Sequence, residues 1–333
     1  KNPRAAGMVN GILRNLERSL DSLPAIPREN PVSYLSVLYS HPEWLVEEFL
    51  TALGSEETAR LLSANNGQAP ITAMANTNRI TVEGLGAALE GEGVAAQPHP
   101  WLADCLILTK TGNLERLNAF QDGLFYIQDP ASKLDALALD PQPGMRVLDC
   151  CAAPGGKSFA CAIRMEGRGE VIACDLHPHK KKLIQAGANR LGLENITPMT
   201  ADGKAFRPEW ENAFDRVLVD APCSGLGVIR KKPDIRYKDP DPLKDLPQVQ
   251  RAILDNAARY VRPGGVLVYS TCTLLRRENE EVALGFLKDH PDFRAEGFRL
   301  PEYVGDARTG MLTLWPHRQG TDGFFISKFR KEE

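Results

Sequence analysis

Two cysteines sit in short motifs. Cys223 lies in Asp220-Ala221-Pro222-Cys223-Ser224-Gly225-Leu226-Gly227, and Cys272 in Tyr269-Ser270-Thr271-Cys272-Thr273. Upstream runs a glycine-bearing stretch, Asp149-Cys150-Cys151-Ala152-Ala153-Pro154-Gly155-Gly156-Lys157-Ser158. Two thiols beside a ligand-binding turn suit addition and elimination on a pyrimidine ring. C5 of cytosine is a poor nucleophile. A thiolate added at C6 makes it enamine-like and able to take a methyl cation equivalent. The C5 proton must then leave and the thiolate be expelled. This needs a nucleophilic cysteine, an acid near the ring and a proton relay. Asp220, just ahead of Cys223, is placed to hydrogen-bond the cytosine edge and stabilise the protonated ring nitrogen. Cysteine is more often a packing residue; that reading fits Cys105, Cys161 and Cys174, and packing is also expected of Cys150 and Cys151. Cys223 and Cys272 follow strands, where a purely packing thiol is less expected.

The elements that must position these groups are legible from about residue 130 onward. Apolar strands are expected over 146–150, 170–174, 196–200, 215–219 and 265–270, with helices over 157–165, 178–191, 247–261 and 279–289. Such alternation predicts an α/β, doubly wound, Rossmann-like parallel sheet. Residues 311–315 and 323–329 read as a closing antiparallel hairpin. The stretch 149–158 then becomes the turn from the first strand into a helix, where glycines let a ligand approach the backbone and the helix start offers free amides. Asp175, Asp202 and Asp220 follow successive strands and line the crevice where such sheets bind ligands. Asp175 is expected to take the ribose hydroxyls and Asp202 to meet the adenine amino group. The loop is not GxGxxG, which disfavours a nicotinamide dinucleotide. An adenosine with acids around it and no phosphate points to S-adenosylmethionine.

Ahead of this region, residues 70–128 predict a small α+β module: strands over 71–76, 105–109 and 124–127, helices over 82–89 and around 114–120. No Gly/Ser-rich linker flanks it, so it should pack on its neighbours. Residues 1–22 read as one basic amphipathic helix, with Met8, Val9, Ile12, Leu13, Leu16 and Leu20 at helical spacing and Arg4, Arg14 and Arg18 beside them. The stretch 23–31 breaks it. A second helix is expected from Ser40-His41-Pro42-Glu43, read as a capping box, with Trp44, Leu45, Phe49 and Leu53 as its buried stripe. A third runs from Ser55 to about Asn65. The expected division is 1–69, 70–128 and 129–333.

Composition sets the outer limits. The chain has 333 residues, a net charge of −3, 43% hydrophobic and 25% charged residues, which is ordinary for a water-soluble protein. No apolar run is long enough to cross a membrane. The start has no signal core, and the seven cysteines form no zinc-type pairs, so reduced thiols in the cytoplasm and no metal are expected. The first residue is not Met, so the chain is expected to be part of a longer one. Nucleic-acid binding would have to use a local patch. Arg230, Lys231, Lys232, Arg236 and Lys238 crowd just after Gly227, with Tyr237 able to stack on a base. They are the expected RNA grip, and the basic helix 1–22 is a weaker second. A cytosine that must reach both thiols has to leave any stack, so single-stranded or flipped RNA is expected. The stretch His177-Pro178-His179-Lys180-Lys181-Lys182 reads as a solvated helix start without a catalytic role.

Together the motifs Asp-Cys-Cys-Ala-Ala-Pro-Gly-Gly-Lys, Asp-Ala-Pro-Cys-Ser-Gly-Leu-Gly and Ser-Thr-Cys-Thr closely resemble those of the Nop/Sun family of RNA (cytosine-5) methyltransferases, over about residues 120–330. Tyr39-Ser40-His41-Pro42-Glu43-Trp44-Leu45 is typical of its bacterial branch acting on 16S ribosomal RNA. Asn10-Gly11-Ile12-Leu13-Arg14-Asn15-Leu16 resembles the last helix of a NusB-like RNA-binding domain, most of which would be absent, and 70–128 its RRM-like module. The resemblance implies Cys272 as nucleophile and Cys223 as the thiol assisting product release, with Lys157 and Asp220 beside them. It implies donor contacts from Cys151, Ala152, Ala153, Pro154, Gly155, Gly156 and Lys157, with Asp175, Asp202 and Asp220. Chemistry alone leaves the order of the thiols open, and the attacking Pro-Cys thiol of DNA cytosine methyltransferases would favour Cys223. Other targets and roles stay open at this point: a tRNA cytosine, or a non-catalytic RNA-binding assembly factor. An amino-methylating enzyme would carry an Asn/Asp-Pro-Pro-Tyr/Phe motif where this chain has Asp-Ala-Pro-Cys.

Overall fold

The computed structural model describes residues 5–22, 24–301 and 303–333, and the chain forms two units, Lys1–Ala59 and Arg60–Glu333. In the first unit the expected helix over 1–22 is Ala5–Arg18 followed by a 3-10 turn, Leu20–Ser22; residues 1–4, with Arg4, lie outside the described residues. Its apolar stripe is exposed, from Met8 at 66% to Leu16 at 45%. The expected capping box is not what starts the next helix. Glu43–Leu53 has Pro42 at its N-cap with no side-chain cap bond. Ser40 instead ends an unexpected helix, Pro31–Tyr39: it turns left-handed (φ 55°) and donates its N–H to Ser36 O. A C-terminal turn and an N-terminal cap compete for the same short polar residue, and the pattern read from Ser40 onward missed the helix behind it. Of the expected stripe, Leu45 and Phe49 are buried while Trp44 and Leu53 are half-buried, and Val46, not expected there, is buried with them.

In the second unit a four-stranded antiparallel sheet is built from β1 (Ile71–Ala75), β2 (Ala95–Pro98), β3 (Cys105–Thr109) and β4 (Phe125–Ile127), in the order β2-β3-β1-β4. β2, Ala-Ala-Gln-Pro, has no β-branched or aromatic residue and no alternation to betray it. The expected helix around 114–120 is split in two by Leu117, which is extended. Leu85, Leu89, Leu106, Leu108 and Phe125 form the module's core. It packs directly on the larger sheet's helices, as the missing linker suggested. Asn76 Nδ2 donates to Leu191 O at 2.9 Å, and Arg190 Nη1 to Phe125 O at 3.0 Å.

The larger sheet has eight strands: β5 (Arg146–Asp149), β6 (Glu170–Asp175), β7 (Ile196–Thr200), β8 (Phe214–Asp220), β9 (Val261–Thr271), β10 (Phe293–Ala295), β11 (Met311–Leu314) and β12 (Phe324–Lys331). Their order is β10-β12-β9-β8-β5-β6-β7, with β11 paired to β12. The five strands β5 to β9 are parallel, and β12 lies antiparallel to β9. Successive strand residues face opposite layers. Val147, Val171, Leu218 and Val268 enter one core with the helices Gly156–Arg164 and Pro178–Leu191. Leu148, Ile172, Val217 and Leu267 enter the other, with Leu246–Tyr260 and Glu280–Asp289. Both faces are therefore covered, which is why these strands read as continuous apolar runs. From β5 the chain winds outward to β6 and β7, then returns to place β8 and β9 on the other side. That reversal puts a crevice at the C-terminal ends of β5 and β8.

Candidate active site

The turn after β5 is set by glycine and by a buried acid. Gly155 is left-handed (φ +117°), and a Cβ there would sit 2.4 Å from the Phe159 ring, so only glycine fits. Asp149 Oδ2 accepts from Ser158 Oγ at 2.7 Å; burial pushes its carboxyl up to about 7 against that bond. Beside the turn is a cleft of about 300 Å³. Cys150, Cys151 and Ala153 form one wall, and Asp175, Leu176, His177 and Lys180 come from the end of β6. Ala201, Asp202, Gly203 and Lys204 come from the end of β7, Asp220 and Pro222 from the end of β8, and Val249 and Ile253 from the following helix.

Of the donor contacts expected from sequence, Cys151, Ala153, Asp175, Asp202 and Asp220 line this cleft. Ala152, Pro154, Gly155 and Gly156 build the turn behind it. His177 and Lys180, given no role by sequence, also line it. Lys180 Nζ stands 3.5 Å from Asp175 Oδ2, a neighbour that the i to i+5 spacing does not advertise. Leu176, Val249 and Ile253 were missed as well, since apolar residues at element ends carry no signal of their own. Two carboxylates facing an apolar wall fit an adenosine: Asp175 can accept from ribose hydroxyls, Asp202 from an amino group, and Leu176 and Ile253 can flank the base.

The thiol site follows from strand register. Asp220 on β8 pairs with Ser270 on β9, so the residues after each strand emerge side by side. Cys223 Sγ and Cys272 Sγ are 3.4 Å apart. Polar bonds hold both loops: Ala221 N donates to Ser270 O at 2.9 Å and Gly227 N to Cys272 O at 2.9 Å. Ser224 and Thr273 hydroxyls meet at 2.6 Å. Glu278 Oε2 accepts from Ser224 N at 2.9 Å and from Gln250 Nε2 at 2.8 Å. A Cβ at Gly227 would strike Gly323 O at 1.9 Å, so close backbone packing requires this glycine. Lys157 Nζ reaches across to Asp220 Oδ2 at 2.6 Å and lies over the Phe324 ring at 4.9 Å. Glu278, Gln250 and Ser270 were missed by sequence reasoning, though Ser270 stands within the Ser-Thr-Cys-Thr motif.

Electrostatics separates the sulfurs. The hydrogen bond from Cys223 lowers the pKa of Cys272 against the cost of burial, and the Lys157 ammonium adds to the effect. The same bond, then burial, holds the Cys223 proton on. Burial raises Cys150 and Cys151 well above the usual thiol range, which suits packing. Lys157 stays charged: burial opposes its ammonium, but Asp220 and Asp135 outweigh it and move the pKa up.

The expected basic grip is mostly turned inward. Arg236 is buried, donating to Pro233 O and Asn66 Oδ1. Arg230 donates to Gly320 O at 3.0 Å. Lys231 Nζ lies 2.7 Å from both Asp129 and Asp322. Arg236 is therefore an internal strut, and Arg230 and Lys231 are tied to Gly320 O, Asp129 and Asp322 although Lys231 stays partly exposed; a cation held by the protein's own acceptors is not offered to phosphate. Lys232, Tyr237 and Lys238 are exposed, and Lys238 Nζ bonds Ser224 O beside the thiols at 2.6 Å. Lys231→Met is expected to lower stability by about 2 kcal/mol in a urea melt, the cost of orphaning buried charge reduced for the partial exposure of Lys231. An unchanged midpoint would remove this tie.

The family description "16S rRNA methyltransferase RsmB/F" matches residues 136–330, and that of an RsmF/B-like ferredoxin-like domain matches residues 41–115. The probable ribosomal RNA small subunit methyltransferase B of Bacillus subtilis is 44% identical over 334 residues, covering 98% of this chain and 74% of that protein. The ribosomal RNA small subunit methyltransferase B of Vibrio cholerae is 34% identical, covering 100% of this chain and 74% of its own length. The crystal structure of a methyltransferase homolog protein from Pyrococcus horikoshii superposes with a TM-score of 0.77 at 28% identity, covering 89% of this chain and 97% of that one. With its motifs, sheet order and donor cleft, the chain belongs to the 16S rRNA methyltransferase RsmB/F family and is an S-adenosylmethionine-dependent methyltransferase.

Proposed function

We propose that the chain methylates C5 of a cytosine in 16S ribosomal RNA through a covalent Cys272–C6 adduct, in the cytoplasm. The observation that carries this is the pair of sulfurs 3.4 Å apart at neighbouring strand ends, one inclined to the thiolate and the other to the thiol. Cys272 adds to C6 while Asp220 hydrogen-bonds the cytosine edge and stabilises the protonated ring nitrogen. Lys157 fixes Asp220 and supports the Cys272 thiolate. Bound S-adenosylmethionine supplies the electrophilic methyl carbon that the activated C5 takes. The C5 proton then leaves to solvent, and Cys223 assists release of the product as the Cys272–C6 bond breaks. Methyl transfer should rise with pH as Cys272 ionises, starting at lower pH than an ordinary thiol would allow.

Donor binding is assigned to the turn 151–157 with Asp175, Asp202 and Asp220. Asp202→Ala is expected to weaken S-adenosylmethionine binding about tenfold, the size of one hydrogen bond to a charged acceptor, without blocking thiol attack. Unchanged affinity by calorimetry would remove that role. RNA contact falls to Lys232 and Lys238, with Tyr237 placed to stack. The parts 1–69, 70–128 and 129–333 are proposed as a helical RNA-facing segment, an RRM-like module and the catalytic domain. Bisulfite sequencing of 16S rRNA, from cells with and without the gene, tests the assignment. One cytosine that loses 5-methylation with the gene supports it; unchanged 16S rRNA with a lost tRNA mark would move the target to tRNA.

A further inference from the structure

One buried carboxyl touches this machinery and is assigned no part in it. Asp135 lies on the helix Pro130–Leu139, whose N-cap Asp129 accepts from Ala131 N at 2.9 Å. Seven of the ten residues of that helix would pass as ordinary apolar packing; Asp135 is fully buried among them, at 0% exposure. Ser270 Oγ donates to Asp135 Oδ2 at 2.7 Å, and the same Oγ lies 3.4 Å from Asp220 Oδ1. Lys157 Nζ stands 3.5 Å from Asp135 Oδ2 and 2.6 Å from Asp220 Oδ2. Two carboxylates therefore share one ammonium and one hydroxyl. Asp135 Oδ1 is buried with no hydrogen-bond partner among the described residues, a poor setting for a charge.

We propose that Asp135 is a positioning residue that holds Lys157 against Asp220 and keeps Asp220 supplied with a proton through the Ser270 hydroxyl. A hydroxyl can donate and accept at once. Protonated Asp135 gives its proton to Ser270 Oγ as Ser270 gives its own to Asp220 Oδ1. Asp220 then donates to the ring nitrogen as the Cys272–C6 bond forms, and the proton returns along the same path when that bond breaks. No proton is gained or lost over the cycle. This rests on the cytosine-activating role given above to Asp220.

The groups facing Asp135 fix the sign of its pH dependence. They are Lys157 and Cys161 on the helix Gly156–Arg164, Asp220 at the end of β8 and Ser270 on β9. Burial pushes the Asp135 carboxyl up from 3.8 to about 8; Asp220 adds to this, while Lys157 and Ser270 oppose it. The relay is loaded below that pH and empties above it. Turnover should therefore fall as pH rises through about 8, opposite in sign to the rise from Cys272.

Two measurements test this. In carbon-detected NMR of the protein without donor or RNA, one Asp carboxyl, absent from Asp135→Asn, should titrate near 8. Titration near its ordinary 3.8 would overturn the proposal. In methylation assays Asp135→Asn should lose about tenfold in kcat together with the alkaline fall, while KM for S-adenosylmethionine stays unchanged. A wild-type pH profile in Asp135→Asn would also overturn it. Should Asp135→Asn fail to fold, Ser270→Ala keeps the acid and cuts the path. It should show the same loss of kcat, and full activity there would refute the relay. The titration needs no substrate, so it separates this idea from the base assignment. If wild type makes no 5-methylcytosine, the reading of Asp220 falls, whatever Asp135 does.

Discussion

Cys272→Ala is expected to lower methyl transfer by at least about four orders of magnitude, as loss of a covalent nucleophile does, and to abolish any covalent RNA complex. Cys150 and Cys151 are kept protonated by burial, and the hydrogen bond shared with Cys223 lowers Cys272. The same asymmetry is readable without substrate: iodoacetamide should alkylate Cys272 at lower pH than Cys223. Because a lowered pKa leaves the thiolate present further into the acid range, the alkylation profile of Cys272 should lie on the acid side of an ordinary thiol. Comparable activity in Cys272→Ala, measured by methyl transfer from labelled donor, would overturn the covalent route.

Cys223→Ala is expected to show the opposite defect. Attack should persist and release should fail, so a protein–RNA complex stable to denaturing electrophoresis should build up to about one equivalent while multiple turnover is lost. Two effects act in opposite directions. Removing the Cys223 proton takes away part of what stabilises the Cys272 thiolate, which slows attack by a modest factor. Removing the group nearest the adduct blocks its exit, and that effect should dominate because release must then proceed without a positioned proton carrier. Reversed phenotypes for the two alanine variants would exchange the roles of the sulfurs. The 3.4 Å separation makes both single substitutions informative, since neither thiol can be altered without its partner sensing it.

How far the sequence carries is clearest from particular residues. Strands β5, β6, β8 and β9 were legible because each holds an apolar run ended by a turn or an acid, and β7 and the helix Pro178–Leu191 fall where they were expected. The acids at strand ends were legible because parallel-sheet topology sends those ends to one side. β2 and the helix Pro31–Tyr39 were missed because their sequences lack a distinctive period or hide a boundary. Arg230, Lys231 and Arg236 were read as a solvent-facing grip because a run of cations looks the same whether it meets phosphate or a buried carboxylate. Asp129, Asn66 and Asp322, their partners, lie far away in sequence.

The sequence alone determined the doubly wound architecture, the glycine turn after β5, the acids along the crevice and the two cysteine motifs at strand ends. All of these are written in local periodicity, glycine placement and residues next to strand ends. Tertiary structure alone decided that the two sulfurs meet at 3.4 Å, which cations remain exposed, and that Asp135 and Ser270 join Lys157 and Asp220. Those outcomes depend on strand order and burial, which bring residues 135, 157, 220 and 270 within hydrogen-bonding reach. The pKa of a buried group is set by such distant neighbours and by loss of water, and neither is encoded in the residues beside it in the chain.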